Sequence, residues 1–323
     1  MIEFDRKNIR AWSMMGSSST FGAAMLEMPA LDDSVVALTA DLCALSGLGK
    51  FKEQFPNRFF NMGIAEQNMV SVAAGMAKEG LNPFVTTYAT FATARALDQV
   101  RVNMGYMGLG IKLIGLTSGF SVGILGATHM CIEDLASMRA IPGVTILSPA
   151  DGAETVKAVL ACANLDTPVY IRLTGGMNQP VVYKSDYEFK IGKAITLQEG
   201  KDVALIGTGT MVYECQRAAK LLKEKGIEAE VVDMHTIKPL DEQAIDGLLD
   251  RKLLVTVEEH SVIGGLGGAV AEYLSMNTHR PPHLRIGAED MFPHAANYQY
   301  LLNESGLVGI SIASRVEQVL KEA

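Results

Sequence analysis

The chain has 323 residues, 48% of them apolar, and carries a formal charge of −8, with a mean hydropathy of +0.18. Two domains are the natural division at that length, with apolar content enough for a full core or a large buried subunit face. The negative balance argues against a nucleic-acid partner, which needs a basic face, and points to metabolite chemistry.

In chain order, Ser13 to Thr20 reads as a helix entry, with a helix to about residue 28 and a stop at Pro29. Strands and helices then alternate. Residues 35–39 form a strand. Phe59 and Phe60 mark a short aromatic strand, and Gly63 permits a tight turn. Residues 64–78 place Met69, Val72, Ala73 and Met76 on one apolar helical stripe, stopped by Gly80 and Pro83. A strand at 84–88, a helix at about 91–104 and a strand at 111–117 follow. A glycine-containing loop at 119–128 leads to a helix at 132–140 cut by Pro142, and a strand at 144–148. Asp151 caps a helix to about 163, and 169–173 closes the series. This alternation predicts a doubly wound parallel sheet.

Periodicity fails between 174 and 192, where Gly175, Gly176, Pro180 and Lys184-Ser185-Asp186 suggest an interdomain crossing. A second alternating unit has strands at 203–207, 229–234, 252–257 and 283–286. Its helices are expected at 211–225, 241–250, 266–276 and about 311–321. Cys43, Cys131, Cys162 and Cys215 include no Cys-x-x-Cys pair, so neither a zinc site nor a disulfide framework is indicated. The amino terminus is charged at Glu3, Asp5, Arg6 and Lys7, and nowhere do about 18 apolar residues run uninterrupted. The expectation is a cytoplasmic chain with no membrane span.

Within the helix at 64–78 Glu66 stands out. It opens a helix whose next turns are small and apolar, where packing alone would take Ala or Leu. The plain reading is that it complements the positive end of the helix dipole, for about 0.3–1 kcal/mol. The other is that the carboxylate is placed to meet a ligand.

The run Arg58-Phe59-Phe60-Asn61-Met62-Gly63-Ile64-Ala65-Glu66-Gln67-Asn68-Met69 closely resembles the thiamine-diphosphate enzymes of the transketolase and 1-deoxyxylulose-5-phosphate synthase group. The resemblance continues through Thr87-Tyr88-Ala89-Thr90-Phe91, Arg95-Ala96-Leu97-Asp98-Gln99-Val100-Arg101, Gly126-Ala127-Thr128-His129 and Glu133 to Pro142. Ile237-Lys238-Pro239-Leu240-Asp241 and Val257-Glu258-Glu259-His260 extend it over nearly the whole chain. It covers the carboxyl-terminal part of a full-length transketolase.

The resemblance implies a pyrimidine-binding thiamine-enzyme domain over 1–178, a linker over 179–192, and a transketolase carboxyl-terminal α/β domain over 193–323. It implies that Glu66 hydrogen-bonds the aminopyrimidine of thiamine, a role that burial of a carboxyl group under an aromatic ring suits. Phe91 would stack on that ring, although unaided a lone Phe before a helix is more often core. Tyr88 and Ile64 are the further cofactor-binding candidates. Arg95 and Asp98 are expected in helix-surface or interface pairs. His129 resembles the His of an Asp-Gly-x-Thr-His motif that reaches the reacting centre, whereas a loop His in isolation is usually just solvated. Loops at strand carboxyl ends are where open α/β sheets bind ligands.

Three departures bear on the substrate. Leu125 stands where the family carries an Asp that holds a sugar hydroxyl. The phosphate-gripping arginines of transketolases fall near Ser18 and Gly175 here, so Ser18, Leu125 and Arg172 are the substrate-binding candidates, with Arg172 able to take over as a guanidinium. Either the substrate is not an ordinary sugar phosphate or other residues bind it. The run Gly264-Gly265-Leu266-Gly267-Gly268 lacks dinucleotide spacing and reads as close packing of a helix end; His235, His260 and His294 form no metal constellation.

No Gly-Asp-Gly occurs in the chain, the motif that in this family holds magnesium on the cofactor diphosphate. The resemblance therefore implies half of a thiamine site: the β subunit of a split transketolase, completed by a diphosphate-binding subunit in an α2β2 assembly. With thiamine diphosphate and Mg2+ held mainly by that partner, the expected activity is that of a transferase moving a two-carbon ketol unit from a ketose to an aldehyde. The alternatives are the β subunit of a 2-oxoacid dehydrogenase, against which the Ile64-Ala65-Glu66-Gln67-Asn68 and Thr236-Ile237-Lys238-Pro239-Leu240-Asp241 runs weigh, and a non-catalytic partner subunit.

Overall fold

The structure, a computed structural model, describes residues 2–322. Its strands are β1 Val35–Thr39, β2 Phe59–Asn61, β3 Asn82–Tyr88, β4 Lys112–Ser118, β5 Thr145–Leu147, β6 Val169–Thr174, β7 Ile195–Gln198, β8 Val203–Gly207, β9 Ala229–Asp233, β10 Thr236–Lys238, β11 Leu253–Ser261 and β12 His283–Ala288. They form two sheets. The first has the order β10-β5-β6-β4-β3-β1-β2 and is parallel except where β10 pairs antiparallel with β5. The second has the order β12-β11-β8-β9-β7 and is parallel except at β7.

The apolar runs of β1, β4 and β8 are buried at every position, as parallel strands covered by helices on both faces require. One apolar cluster includes Val36, Leu38 and Met69 from the amino-terminal half together with Ile206, Met234 and Leu266 from the carboxyl-terminal half. The two halves thus share a core. Among the described residues no helix is long and apolar enough to cross a membrane.

The doubly wound expectation holds, and the structure amends it in places. The helix expected from residue 13 is two helices, Arg6–Met15 and Ser17–Met25, broken at Gly16 with φ of 75°. A Cβ there would lie 2.4 Å from the Gly176 carbonyl, so the close approach of the backbone at 176 requires glycine. The strand 236–238, in the half assigned to the second domain, leaves its own sheet to edge the first. Lys238 Nζ, at its end, donates to the Arg139 carbonyl at 2.9 Å. The glycine run at 264–268 packs as read: a Cβ on Gly265 would meet Glu258 at 1.9 Å, and the Glu258 carboxylate accepts from Leu266 N and Gly267 N at 2.7 and 2.8 Å.

The crossing after 178 is held by a buried acid cluster. Asp151 Oδ2 accepts from Val182 N and Tyr183 N at 2.8 and 3.0 Å. Tyr183 and Tyr187 stack with ring centroids 3.7 Å apart. Tyr183 donates to Asp233 Oδ2 at 2.7 Å and Tyr187 to Glu154 Oε1 at 3.3 Å. Burial pushes Asp233 up to about 7 and Glu154 well above the carboxylate range.

The folded chain therefore holds a proton that the unfolded chain releases above about pH 4. The stability contributed by Asp233 is complete below that pH and is lost as pH rises to about 7. In Asp233→Asn that loss disappears. Urea unfolding from about pH 5 to about pH 7 should show wild-type stability falling relative to the variant, by up to about 1.4 kcal/mol per pH unit. Parallel curves would show that Asp233 holds no such proton.

Candidate functional site

The strand β2 ends at Asn61, whose Oδ1 accepts from Gly63 N and Asp41 N, both at 3.1 Å. Gly63, at φ of 68°, turns the chain so that the helix Glu66–Lys78 begins at once. Glu66 is its first residue and is only 3% exposed. The dipole favours a carboxylate there, but the dipole does not account for its partner: Arg95 Nη1 donates to Oε2 at 2.9 Å. The other oxygen, Oε1, has no hydrogen-bond partner among the described residues.

Arg95 reaches Glu66 from the end of β3. Tyr88 closes that strand, and residues Phe91–Arg95 form one wide turn in which Ala96 N donates to the Phe91 carbonyl at 3.2 Å. Five-residue turns of this kind are uncommon and recur at functional sites. The turn returns Arg95 over its own start, with Cζ 3.8 Å from the Phe91 ring centroid.

His129 completes the group. Its ring lies 5.3 Å from Phe91 and 5.5 Å from Tyr88, and Tyr88 lies 5.7 Å from Phe91, all edge to face. Thr128 Oγ1 is 2.9 Å from His129 Nδ1. The loop bearing this histidine is closed by Gly119 and Cys131, which exchange backbone hydrogen bonds of 2.8 and 3.0 Å. The carboxyl-terminal domain clamps its root. Glu259 Oε1 accepts from Phe120 N at 2.7 Å, and Oε2 accepts from Thr210 and Tyr298 at 2.6 and 2.7 Å. Burial pushes the Glu259 carboxyl up, against those donors.

The structure thus brings Glu66, Phe91, Tyr88 and His129 together at the carboxyl ends of β2, β3 and β4, where open parallel sheets bind ligands. Ile64, 78% exposed, precedes Glu66, and Leu125, 47% exposed, lies in the His129 loop. Ser18 is buried, its Oγ accepting from Thr117 N at 3.3 Å.

Arg172 requires a correction, because it is fully buried and cannot grip a phosphate at the surface. Its Nε–H is shared by both oxygens of Asp134 at 3.0 and 2.8 Å, and Nη2 donates to the Glu259 carbonyl at 2.8 Å. Asp98 pairs with Arg101 on the surface as expected of it. Arg95, expected with it in a helix-surface or interface pair, pairs with Glu66 and so joins the cluster, its side chain 43% exposed. The only sequence signal was an arginine four residues after Phe91, and helical spacing gives no reason to turn it toward Glu66.

Residues 13–178 match the pyrimidine binding domain of transketolase, and residues 192–312 match the transketolase C-terminal domain. A putative transketolase C-terminal section from Methanocaldococcus jannaschii is 40% identical over 95% of this chain and 97% of its own length. A 6-deoxy-6-sulfo-D-fructose transketolase subunit from Clostridium is 41% identical over 93% of each chain. A split-gene transketolase solved as an inactive β4 tetramer superposes with a TM-score of 0.86 at 38% identity, covering 95% of this chain and 98% of that one.

Gly119, at φ of 66°, roots the His129 loop, and a Cβ there would lie 2.2 Å from Glu259 Oε1. Gly119→Ala should therefore cost about 1–3 kcal/mol, from the left-handed backbone and the displaced carboxylate together. Urea denaturation measures it; a variant as stable as wild type would show that the Glu259 clamp does not set the loop.

Proposed function

The chain belongs to the transketolase family, on the pattern of its split subunits, and on that premise we propose that it catalyses thiamine-diphosphate-dependent ketol transfer with a separate diphosphate-binding subunit. The reaction moves a two-carbon unit from a ketose to an aldehyde. The observation that carries this reading is the Glu66 carboxylate, buried at a helix start with Oε1 unpartnered among the described residues and Oε2 held by Arg95, which lies over the Phe91 ring that Tyr88 and His129 meet edge to face. These residues fit an aminopyrimidine: an acceptor for its ring nitrogen, an aromatic surface for its face, and a titratable imidazole at the edge.

Thiamine diphosphate held there supplies the electron sink for breaking a carbon–carbon bond beside a ketose carbonyl. Glu66 shares a proton with pyrimidine N1′ through Oε1. Phe91 and Tyr88 orient the ring, and Ile64 covers it from the strand-to-helix turn. His129 holds or moves a proton on a substrate hydroxyl, with the Thr128 hydroxyl against its Nδ1. With no Gly-Asp-Gly in this chain, magnesium and the diphosphate fall to the partner, in an α2β2 assembly. The inactive β4 tetramer of the split-gene relative supports dependence on that partner.

The substrate we propose is a ketose other than an ordinary sugar phosphate. Leu125 offers an apolar side chain on the His129 loop, and the buried Arg172 and Ser18 give no surface cation to a phosphate. Curated relatives include subunits named for 6-deoxy-6-sulfo-D-fructose and for apulose 4-phosphate, the latter from Phocaeicola vulgatus, 40% identical over 82% of this chain.

Ketol transfer is measured with this chain, the diphosphate-binding subunit, thiamine diphosphate and magnesium, against each chain alone, with phosphorylated and unphosphorylated ketoses as donors. Activity is expected only in the mixture, and Glu66→Ala should lower kcat by about 10²–10⁴-fold, the range of a lost proton-transfer group. An assembled complex that moves no two-carbon unit, or a Glu66→Ala complex as active as wild type, would overturn the reading.

A further inference from the structure

We propose that Arg95 is a positioning residue that fixes Glu66 and Phe91 relative to each other, leaving Glu66 Oε1 as the oxygen presented to an aminopyrimidine nitrogen. The inference rests on the role given to Glu66 above and goes beyond it.

The geometry assigns the two carboxylate oxygens to different tasks. Oε2 is held by Arg95 Nη1 at 2.9 Å, while Oε1 is free of partners among the described residues. A glutamate has three side-chain torsions, and one directed, charge-assisted hydrogen bond removes most of that freedom before a ligand arrives. The same guanidinium lies 3.8 Å over the Phe91 ring. One rigid plane therefore sets both the acid and the aromatic surface, a combination that a lysine's point charge cannot reproduce.

Local structure supports a dedicated role. The wide turn at 91–95 carries only Ala92, Thr93 and Ala94 between the ring and the arginine, and Thr93 is pinned by its hydroxyl to the Ala89 carbonyl at 2.8 Å. The small residues let the turn close and bring Arg95 back over Phe91. Next along the chain, Asp98 and Arg101 are exposed and lie 3.8 Å from each other, so the charges on the following turn pair among themselves. The Arg95 side chain is 43% exposed and that of Glu66 4%, so the arginine spans from solvent to the buried acid. With its cation 43% exposed the pair is partly screened by solvent; its consequence lies in orientation.

The test compares affinities of the reconstituted complex for thiamine diphosphate and for its analogue with C–H in place of N1′, read by quenching of protein fluorescence. Wild type should prefer the natural compound, and Arg95→Ala should reduce that preference about five- to tenfold, the scale of a charged hydrogen bond that has lost its alignment. Arg95→Lys should restore part of the preference. An equal loss of affinity for both compounds in Arg95→Ala would make Arg95 merely structural and overturn the inference. Tighter binding of both would overturn it too, because the guanidinium would then compete for the pyrimidine's place. Glu66→Ala separates the levels: if it keeps the wild-type preference, the role of Glu66 itself fails; if it loses the preference while Arg95→Ala keeps it, only the role of Arg95 fails.

Discussion

The fully buried guanidinium of Arg172 is the constraint on which the arrangement of the site depends. Removing such a cation from water costs several kcal/mol, and only close, well-directed acceptors offset it. Asp134 supplies them, with its Oδ2 also accepting from Tyr170 at 2.7 Å. Nη2 donates to backbone carbonyls, those of Cys131 at 3.4 Å and Glu259 at 2.8 Å, while Nη1 has no hydrogen-bond partner among the described residues. Cys131 closes the loop that carries His129, and Glu259 belongs to the carboxyl-terminal domain. One side chain at the end of β6 thus ties the first sheet, the helix Asp134–Arg139, the His129 loop and the second sheet into one unit. Loss of either partner would leave an unpaired buried charge, so this joint has two states, intact or broken.

The neighbouring histidine obeys the same constraint. His260 lies between Asp134 and Glu258, and burial pushes its imidazole down to about 4, so it remains neutral. Its Nδ1 donates to the Ser261 carbonyl at 2.8 Å and its Nε2 accepts from Ala136 N at 3.4 Å. An added positive charge beside Arg172 would undo the joint, and a neutral ring that bonds through both nitrogens avoids it. The second domain therefore does more than fill out the fold: Glu259 secures the loop root, and strand β10 extends the first sheet.

The strand, turn and helix around Glu66 were legible because a single local unit carries them: aromatic strand, glycine turn and carboxylate at a helix start. Phe91, Tyr88 and His129 were legible as candidates only through the resemblance of their motifs to the family. Their edge-to-face packing was not, because it depends on the relative placement of β3 and the loop after β4. The partner of Arg95 was not legible, for a physical reason. Helical periodicity assumes 3.6 residues per turn, and the wide turn at 91–95 breaks that period where the arginine's direction is decided. Arg172 was misread because an arginine near a strand end suggests an exposed ligand grip, whereas in a parallel sheet covered on both faces even that position is interior. Three-residue β10 carries no period of its own; its pairing with β5 is set by the other domain.

On the proposed reading, these constraints also explain how half a site can be useful. An acid that must meet one ring nitrogen needs its orientation set before the ring arrives, since ordering it at binding subtracts from affinity. The chain does this with its own residues: the turn at 91–95 places Arg95, Arg95 holds one oxygen of Glu66, and the joint at Arg172, with Glu259 of the carboxyl-terminal domain, holds the loop of His129. Beside that ordered cluster stand Ile64 and Ile124, 78% and 73% exposed, apolar side chains that gain from being covered. A partner bringing the diphosphate and its magnesium can therefore complete the site by docking against a prepared surface, without rebuilding the acid's environment.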